Sequence, residues 1–315
     1  MDNRMKRVLV AGAAGRLGAA VVGELKRRGY PTRSLARDAS RLPAPSSRAH
    51  EVFAADARRP EALRGACDGA GVVISAMGAS LKLGRTRDPH ATYRDVDYLA
   101  NLNLLAEARR AGVGKFIYVS LHGAEGMRGL AYVDAHEEFV EALKTSGLDY
   151  AVVRPTGFFY VFEEIYRMVQ ERGRAAVIGA GSARTNPVHE EDVASECADA
   201  VECGDREVSV GGPETYTRRE IAEMAFSVLG KRPRVVSIPA PVARAAIQPL
   251  RLFDRRLYDF FDFAVAASTR DLVAPPVGRT SLRRHFRHLA GISSGINPAQ
   301  RISSPALSRQ ELPRR

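Results

Sequence analysis

The stretch "VLVAGAAGRLGAAVV", from Val8 to Val22, decides the fold. An apolar run there ends in three glycines spaced three residues apart, Gly12, Gly15 and Gly18, and apolar residues then return at helical spacing. A tight turn out of a strand requires a residue without Cβ, and two further glycines let a ligand approach and a helix pack closely. The stretch therefore predicts a strand, a glycine turn and a helix whose N-terminal N–H groups can bind phosphate.

Apolar, β-branched segments alternate with helical segments through the first half of the chain. The strand-like segments are "RVLVAG", "GVVISAMG", "FIYVS" and "YAVVRP". The predicted helices are Leu17–Arg28, Pro60–Cys67, Thr92–Ala111 and Asp134–Ser146. Strands that are apolar throughout indicate a parallel sheet covered on both faces. We therefore predict an α/β protein with a doubly wound parallel sheet and a ligand crevice at the carboxyl ends of its strands.

The pattern changes near residue 157, which predicts three parts. Residues 1–157 form the dinucleotide-binding core, and residues 158–292 form a smaller substrate-facing part that is intertwined with the core. Residues 293–315 are rich in Ser, Pro, Gly and Arg and are predicted to be a disordered basic tail. Of the net charge of +11, residues 279–315 carry +7, from eight arginines and one acid. The rest is near neutral, which argues against a specific nucleic-acid partner.

Other bulk features indicate a cytoplasmic protein. No apolar run reaches the ~20 residues of a membrane span, and the N-terminus lacks the pattern of a secretory signal. Three cysteines without metal-ligand spacing favour a reducing compartment and no metal site. The aromatic and basic segment 240–268 is interpreted as a lid, an oligomer interface or an interfacial helix. Weak contact with a membrane surface and a homodimer both stay open.

The end of the second predicted strand indicates which dinucleotide binds. An NAD site carries an acid there, about 20 residues after the glycines, for the ribose 2′-hydroxyl. Here "YPTRSLARD" places Arg37 at that point, with Asp38 already in the turn. A guanidinium suits a 2′-phosphate, and Arg16 in the glycine loop can add a second cation. NADP(H) is therefore predicted over NAD(H).

With "VLVAGAAGRLG", "SLARD", "VDYLANLNLLAEARRAGVGKFIYVS" and "SGLDYAVVRPTGFF" together, the chain resembles an atypical or extended short-chain dehydrogenase/reductase of the NmrA-like, NAD(P)-binding branch. The resemblance covers about residues 5–290. It implies a Rossmann-like fold, a small-molecule substrate and a set of cofactor-binding residues. Those are Gly12, Ala13, Gly15, Arg16, Leu17 and Gly18 at the pyrophosphate, Arg37 and Asp56 at the adenosine, Ser75, Ala76 and Met77 at the ribose, and Pro155, Thr156 and Gly157 at the nicotinamide.

In the reductases that the chain resembles, a serine and a Y-x-x-x-K pair supply the chemistry. Here Ser120 ends "YVS", and Tyr132 is followed four residues later by His136 in place of the lysine. The spacing puts both side chains on one helical face if the helix begins before Tyr132. Imidazole is mostly neutral at pH 7, so it gives little of the lysine's help towards phenolate. Tyr132 or His136 could be the proton donor, or His136 could be a packed core residue on the apolar face.

The leading hypothesis is an NADPH-dependent oxidoreductase that transfers a hydride to a carbonyl or an activated double bond of a small organic substrate. The first alternative is a non-catalytic NAD(P)H-binding regulator or assembly factor, since the lysine is lost while the glycines are kept. The second alternative is an NAD(P)-dependent sugar-nucleotide epimerase or dehydratase.

Overall fold

A seven-stranded parallel sheet forms the centre of the protein. The computed structural model describes residues 7–43, 49–79, 91–202 and 206–291. The strands are β1 (Arg7–Ala11), β2 (Thr32–Ala36), β3 (Glu51–Ala54), β4 (Ala70–Ser75), β5 (Lys115–Val119), β6 (Asp149–Pro155), β7 (Ala175–Ile178), β8 (Arg184–Thr185), β9 (Glu207–Val210), β10 (Tyr216–Thr217) and β11 (Val235–Ile238). The central sheet has the order β3-β2-β1-β4-β5-β6-β9, and all its pairs are parallel.

Helices cover both faces of this sheet and build the second part of the chain. They are α1 (Arg16–Arg27), α2 (Ala100–Arg110), α3 (Ala131–Lys144), α4 (Phe159–Arg172), α5 (Glu190–Glu202), α6 (Arg218–Val228), α7 (Ala240–Ile247), α8 (Leu250–Phe253), α9 (Arg255–Ser268) and α10 (Leu282–Leu289). A π-helical segment, Arg94–Leu99, leads directly into α2.

The alternation of side chains along β1 divides the core into two layers. Val8 and Val10 lie in the cluster formed with α1 and α5, whereas Leu9 and Ala11 lie in the cluster formed with α2 and α3. All four are fully buried, because successive residues of a strand point to opposite faces and both faces are covered. The doubly wound α/β sheet predicted from the sequence is confirmed.

The order of the strands reverses at β1. Its two neighbours are β2 on one side and β4 on the other, so the chain winds outward in both directions from this strand. In such sheets the loops part at the carboxyl edge beside the reversal and leave a crevice there. The glycine loop after Ala11 lies at this crevice.

The second half of the chain has a core of its own and also contributes to the central sheet. Its core joins β7, α4, α6 and α10 through buried aromatic side chains such as Phe159, Phe226 and Phe286. Strand β9 pairs with β6 at the edge of the central sheet. The predicted basic tail, 293–315, lies outside the described residues. Among the described residues, no helix combines the length and the apolar character needed to cross a bilayer.

Candidate functional site

The glycine loop leaves no room for side chains at two of its three glycines. Gly12 has φ +80°, and a Cβ on it would come within 2.6 Å of the carbonyl oxygen of Ala76. A Cβ on Gly18 would lie 2.3 Å from the carbonyl oxygen of Gly12. Gly15 is the N-cap of α1 and makes no side-chain capping bond, so the first N–H groups of the helix face the loop uncapped. This geometry fits a pyrophosphate at the start of α1.

Arg16 begins α1 and spans the mouth of the crevice to α4. Its guanidinium donates to both carboxylate oxygens of Glu163, at 2.7 and 3.0 Å, and Glu190 lies 4.0 Å away. The central carbon of the Arg16 guanidinium, Cζ, lies 5.5 Å from the ring centroid of Tyr160. Burial raises the pKa of Glu163, but the hydrogen bonds and charges of Arg16 and His285 together outweigh this effect, and the pKa is lowered. A cavity of about 480 Å³ lies beside this first turn.

Arg37 and Arg58 follow β2 and β3, at the end of the crevice where the sequence predicts the adenosine. Arg37 follows β2 and is exposed, while the carboxylate of Asp38 accepts hydrogen bonds from the Ser40 N–H (3.1 Å) and hydroxyl (2.6 Å). Arg58 pairs with Asp56 at 2.6 Å. The hydrogen bond from Arg58 lowers the pKa of Asp56, and the charge of Arg37 adds to the effect. Asp38 thus takes part in a local turn through its Oδ1. An acidic residue at the end of the second strand favours binding of NAD, and Arg37 stands there in this chain.

Ser75 ends β4, and its side chain turns into the protein. Its hydroxyl donates to Asn101 Oδ1 at 2.6 Å, and Asn101 Nδ2 donates to the carbonyl of Asp97 at 2.9 Å. Beside the loop lies the backbone of Ala76 and Met77, which would contact a Cβ on Gly12. At this strand end, the main chain faces the crevice and the serine hydroxyl belongs to a buried network.

Tyr132 and His136 lie on one face of α3, because this helix begins at Ala131. Their rings are 4.8 Å apart, edge to face. His136 is 4% exposed, and its Nδ1 lies 2.6 Å from the Tyr118 hydroxyl. Its Nε2 lies 3.2 Å from Asp97 Oδ1, yet the angle does not make a hydrogen bond, so this atom is close to a partner but unsatisfied. Both ring nitrogens face the protein interior.

The phenol of Tyr132 lies in an aromatic setting. Its ring contacts Tyr93 (5.2 Å between centroids) and Phe263 (4.5 Å). Burial, followed by the charge of Asp97, raises the pKa of Tyr132 well above its usual range. Among the described residues, no hydrogen bond engages the Tyr132 hydroxyl. Tyr132 packs in the clusters that contain Leu121, just after β5, and Ala79, just after β4, so it lies at the carboxyl edge of the sheet, the edge that also carries the glycine loop.

Ser120 is not joined to Tyr132 by a hydrogen bond among the described residues. Its hydroxyl donates to Glu137 Oε1 at 2.9 Å. That carboxylate is paired with Arg154 at 2.7 Å, and Arg154 also donates to Glu207 at 3.0 Å. Ser120 is 5% exposed, so it forms part of a buried ion-pair network at the end of β5.

The turn after β6 completes the crevice. Pro155 is the last residue of the strand, and the Thr156 hydroxyl donates to the carbonyl of Asn186 at 2.6 Å. A Cβ on Gly157 would come within 2.9 Å of the Phe162 ring. The glycine therefore allows α4 to pack against this turn.

Sequence reasoning missed the groups that α4 and its neighbours bring to the loop: Tyr160, Glu163, Glu190, His285 and, at the adenosine end, Arg58. His285 Nε2 lies 3.1 Å from Glu163 Oε1, and burial lowers the pKa of this imidazole. Glu163 and Arg16 are 147 residues apart, and their pairing leaves no trace in local spacing. Arg58 had a usable signal, since "DARR" follows the third strand as "RD" follows the second.

The sheet order, the reversal at β1 and the glycine loop define a Rossmann-like dinucleotide-binding protein. The chain belongs to the NAD(P)H-binding family, whose model matches residues 12–203. This membership confirms the resemblance to the NmrA-like branch of atypical short-chain dehydrogenases/reductases.

Curated relatives include both an enzyme and an assembly factor. The chain is 32% identical over 260 residues to the chloroplastic divinyl chlorophyllide a 8-vinyl-reductase of Oryza sativa subsp. indica, covering 76% of this chain but only 63% of that protein. It is 23% identical over 266 residues to the photosystem II assembly factor Ycf39 of Guillardia theta, covering 84% of this chain and 80% of that one. The chain thus spans less than two thirds of the length of the reductase.

Solved structures share the fold. An NADPH-dependent quinone oxidoreductase of Escherichia coli, complexed with NADPH, superposes with a TM-score of 0.72 at 22% identity, covering 90% of this chain and 99% of that one. The UDP-glucose 4-epimerase of Thermus thermophilus, complexed with NAD, gives 0.61 at 24% identity, covering 74% and 86%. At such identities the likeness concerns the fold.

Proposed function

We propose that this protein is an NADPH-dependent oxidoreductase that reduces a carbonyl or an activated double bond of a small organic molecule. The observation that carries the proposal is the position of the Tyr132 phenol. Tyr132 packs with Leu121 and Ala79, the residues just after β5 and β4, and so lies at the same sheet edge as the glycine loop. A protonated phenol at this edge, with no hydrogen bond among the described residues, is suited to supply a proton next to a hydride donor.

The preference for NADPH rests on the adenosine end of the crevice. A 2′-phosphate is best bound by an exposed guanidinium, and Arg37 is exposed. Asp38, the one acid at this strand end, already accepts two bonds from Ser40. A ribose 2′-hydroxyl would therefore compete with Ser40 for Oδ1 of this carboxylate, whereas a 2′-phosphate would meet the cation of Arg37.

The residues divide the chemistry among them. Bound NADPH supplies the hydride. Gly12, Gly15 and the first turn of α1 hold the pyrophosphate, and Arg37 holds the 2′-phosphate. Tyr132 keeps its proton on Oη and passes it to the substrate atom that becomes negative as the hydride arrives, so that one hydride and one proton complete the reduction.

His136 supports this arrangement from inside the protein. With Nδ1 against Tyr118 and Nε2 against Asp97, its ring packs under Tyr132 and fixes the face of α3 from which the phenol projects. We assign it a positioning role rather than the ribose contact and charge of a lysine. Ser120, bonded to Glu137, lines the end of β5 without sharing a bond with the phenol.

A non-catalytic regulator or assembly factor is the second candidate. Burial raises the pKa of Tyr132, and His136 stands where a lysine would lower it, so the phenol is not activated. The similarity to the photosystem II assembly factor favours this candidate as well. A protein of this type would keep the glycine loop and bind the dinucleotide without turning it over.

Titration of the purified chain with NADPH and NADH, followed by quinones, enones and aldehydes, tests the proposal. We expect tighter binding of NADPH and substrate-dependent loss of its absorbance, abolished in Tyr132→Phe while NADPH binding is retained. Tight binding without turnover across the panel would favour the regulator. Binding of nucleotide sugars, measured by calorimetry, would favour the epimerase. Failure to bind either dinucleotide would refute all three.

A further inference from the structure

Two adjacent apolar side chains project from the segment that contains α7, α8 and α9. Leu252 and Phe253 are each 85% exposed, more than the other large hydrophobic residues that the structure describes as exposed. They end α8, which lies between Pro249 and Asp254, and neither belongs to a hydrophobic cluster formed by the residues that the structure describes. Such a pair costs free energy in water unless a partner covers it.

Arginines outnumber acids around this pair. Residues 241–256 contain four arginines and one acid, and two further acids, Asp259 and Asp262, follow in α9. The guanidinium carbons of Arg251 and Arg255 lie 5.2 and 5.8 Å from the ring centroid of Tyr258, and Arg255 also pairs with Asp259 at 3.0 Å. Asp254 accepts a bond from the Leu257 N–H at 2.9 Å and caps α9. We call the segment from Pro249 to Arg256 the basic tip.

We propose that the basic tip docks this protein onto an anionic lipid surface, with Leu252 and Phe253 entering the boundary between headgroups and acyl chains. Apolar side chains flanked by arginines are the composition that binds such interfaces, where the cations contact lipid phosphates and the apolar groups leave water. Each basic residue near an anionic surface adds to the attraction within a Debye length.

The size of the patch argues against a second copy of the chain as its partner. A stable protein interface covers about 800 Å² on each side. Two side chains that bury at most about 150–250 Å² each supply well under that area. A lipid surface imposes no such minimum area, because each inserted side chain contributes its own free energy of transfer from water.

The tip is connected to the candidate site by α9. Phe263 of this helix contacts Tyr132 at 4.5 Å between ring centroids, and Phe260 packs in the cluster that contains Tyr93. Phe263 is eight residues after Arg255, the first residue of α9, or about 12 Å along the axis of this helix. Docking would therefore bring the crevice close to the lipid surface, although docking itself requires no cofactor and no turnover.

The chain contains no tryptophan, so Phe253→Trp gives a single fluorescent reporter at the tip. We expect its emission to shift to the blue with phosphatidylcholine vesicles that contain phosphatidylglycerol, and to be quenched by brominated lipid. Phosphatidylcholine alone should produce neither change. The matched control is Leu289→Trp on α10, where the native side chain is 40% exposed and lies outside the basic tip; its emission should not shift.

Flotation of the full chain with the same anionic vesicles gives the second measurement. The double variant Leu252→Ser, Phe253→Ser should reduce vesicle binding at least about tenfold, because two large apolar side chains no longer leave water. Leu289→Ser should bind as the unmodified chain does. Flotation of the Phe253→Trp variant without a shift in its emission would assign binding to another part of the chain and overturn the proposal. A blue shift without vesicles, together with a doubled mass, would show a second copy instead and overturn it too.

Discussion

The guanidinium of Arg16 and the carboxylate of Glu163 form a two-bond ion pair, at 2.7 and 3.0 Å, that joins the first turn of α1 to α4. Glu163 is only 13% exposed in its side chain, and His285 contacts the same carboxylate. A pyrophosphate at the start of α1 would compete with this carboxylate for Arg16 and would also be repelled by it.

Glu163→Gln is therefore expected to strengthen NADPH binding several-fold, since Arg16 keeps its position but loses an anionic competitor. Isothermal calorimetry of both proteins measures the difference. Glu164→Gln, which alters a carboxylate paired with Arg167 on the same helix, serves as the control and should change little. Weaker binding in Glu163→Gln would mean that the ion pair holds Arg16 in the orientation that binding requires.

Arg37 is expected to determine the choice of dinucleotide. Arg37→Gln should weaken NADPH binding about tenfold or more and leave NADH binding nearly unchanged, because only NADPH carries the 2′-phosphate. Fluorescence titration with both dinucleotides gives the ratio. Arg64→Gln, an exposed arginine after the turn at Pro60–Leu63, is the control. Equal losses for both dinucleotides would contradict a 2′-phosphate contact.

Gly18→Ala is expected to abolish dinucleotide binding and to lower the free energy of unfolding by about 1–3 kcal/mol. The new Cβ would lie 2.3 Å from the backbone oxygen of Gly12, and backbone cannot move aside as a flexible side chain can. Gly126→Ala is the matched control, because nothing lies within 4 Å of its added Cβ. Urea denaturation and NADPH titration of both variants test the pair.

The raised pKa of Tyr132 predicts the pH profile of reduction. A phenol whose pKa lies above its usual value of about 10 stays protonated through neutral and mildly alkaline pH, so turnover should not lose its proton donor there. His136→Lys would place an ammonium beside Asp97 and near the phenol, and should move the alkaline fall to lower pH. His136→Gln, without a charge, should not. Tyrosinate absorbance provides a readout that does not depend on turnover.

The carboxylate of Glu24 is expected to stabilise the folded protein at pH values above the pKa that Glu24 has in the unfolded chain. Hydrogen bonds from Arg27 and then Arg28 lower the pKa of Glu24 to about 2, below the ordinary value of about 4.3. The folded state thus binds its proton less readily, so the stabilisation is complete above pH ~4.3 and is lost as the pH falls towards 2. Glu24→Gln should cost about 1 kcal/mol at pH 7 and much less at acid pH, as measured by urea denaturation. Glu61→Gln, on an exposed turn, is the control.

Local patterns in the sequence were sufficient for the sheet but not for every helix. The predicted helix Pro60–Cys67 is only a 3-10 turn, Pro60–Leu63. Gly65 adopts φ +86°, which is not a helical conformation. The guanidinium of Arg33 in β2 also donates to the carbonyl of Ala66 at 2.6 Å, and in a continuing helix this carbonyl would instead accept a bond from a backbone N–H of the helix. Arg33 lies 33 positions before Ala66, so no window of local sequence contains both partners of this bond.

The sequence by itself determined the strand, glycine turn and helix at Val8–Val22, because a missing Cβ and the spacing of apolar residues act over a few neighbouring positions. It also placed Arg37 at the end of β2 and set Tyr132 and His136 one helical turn apart. Only the tertiary structure decided that the imidazole of His136 lies between Tyr118 and Asp97 and not in the crevice. That outcome depends on how α3 packs against β5 and the π-helical segment. These elements are far apart in the sequence, so no local pattern predicts their contacts.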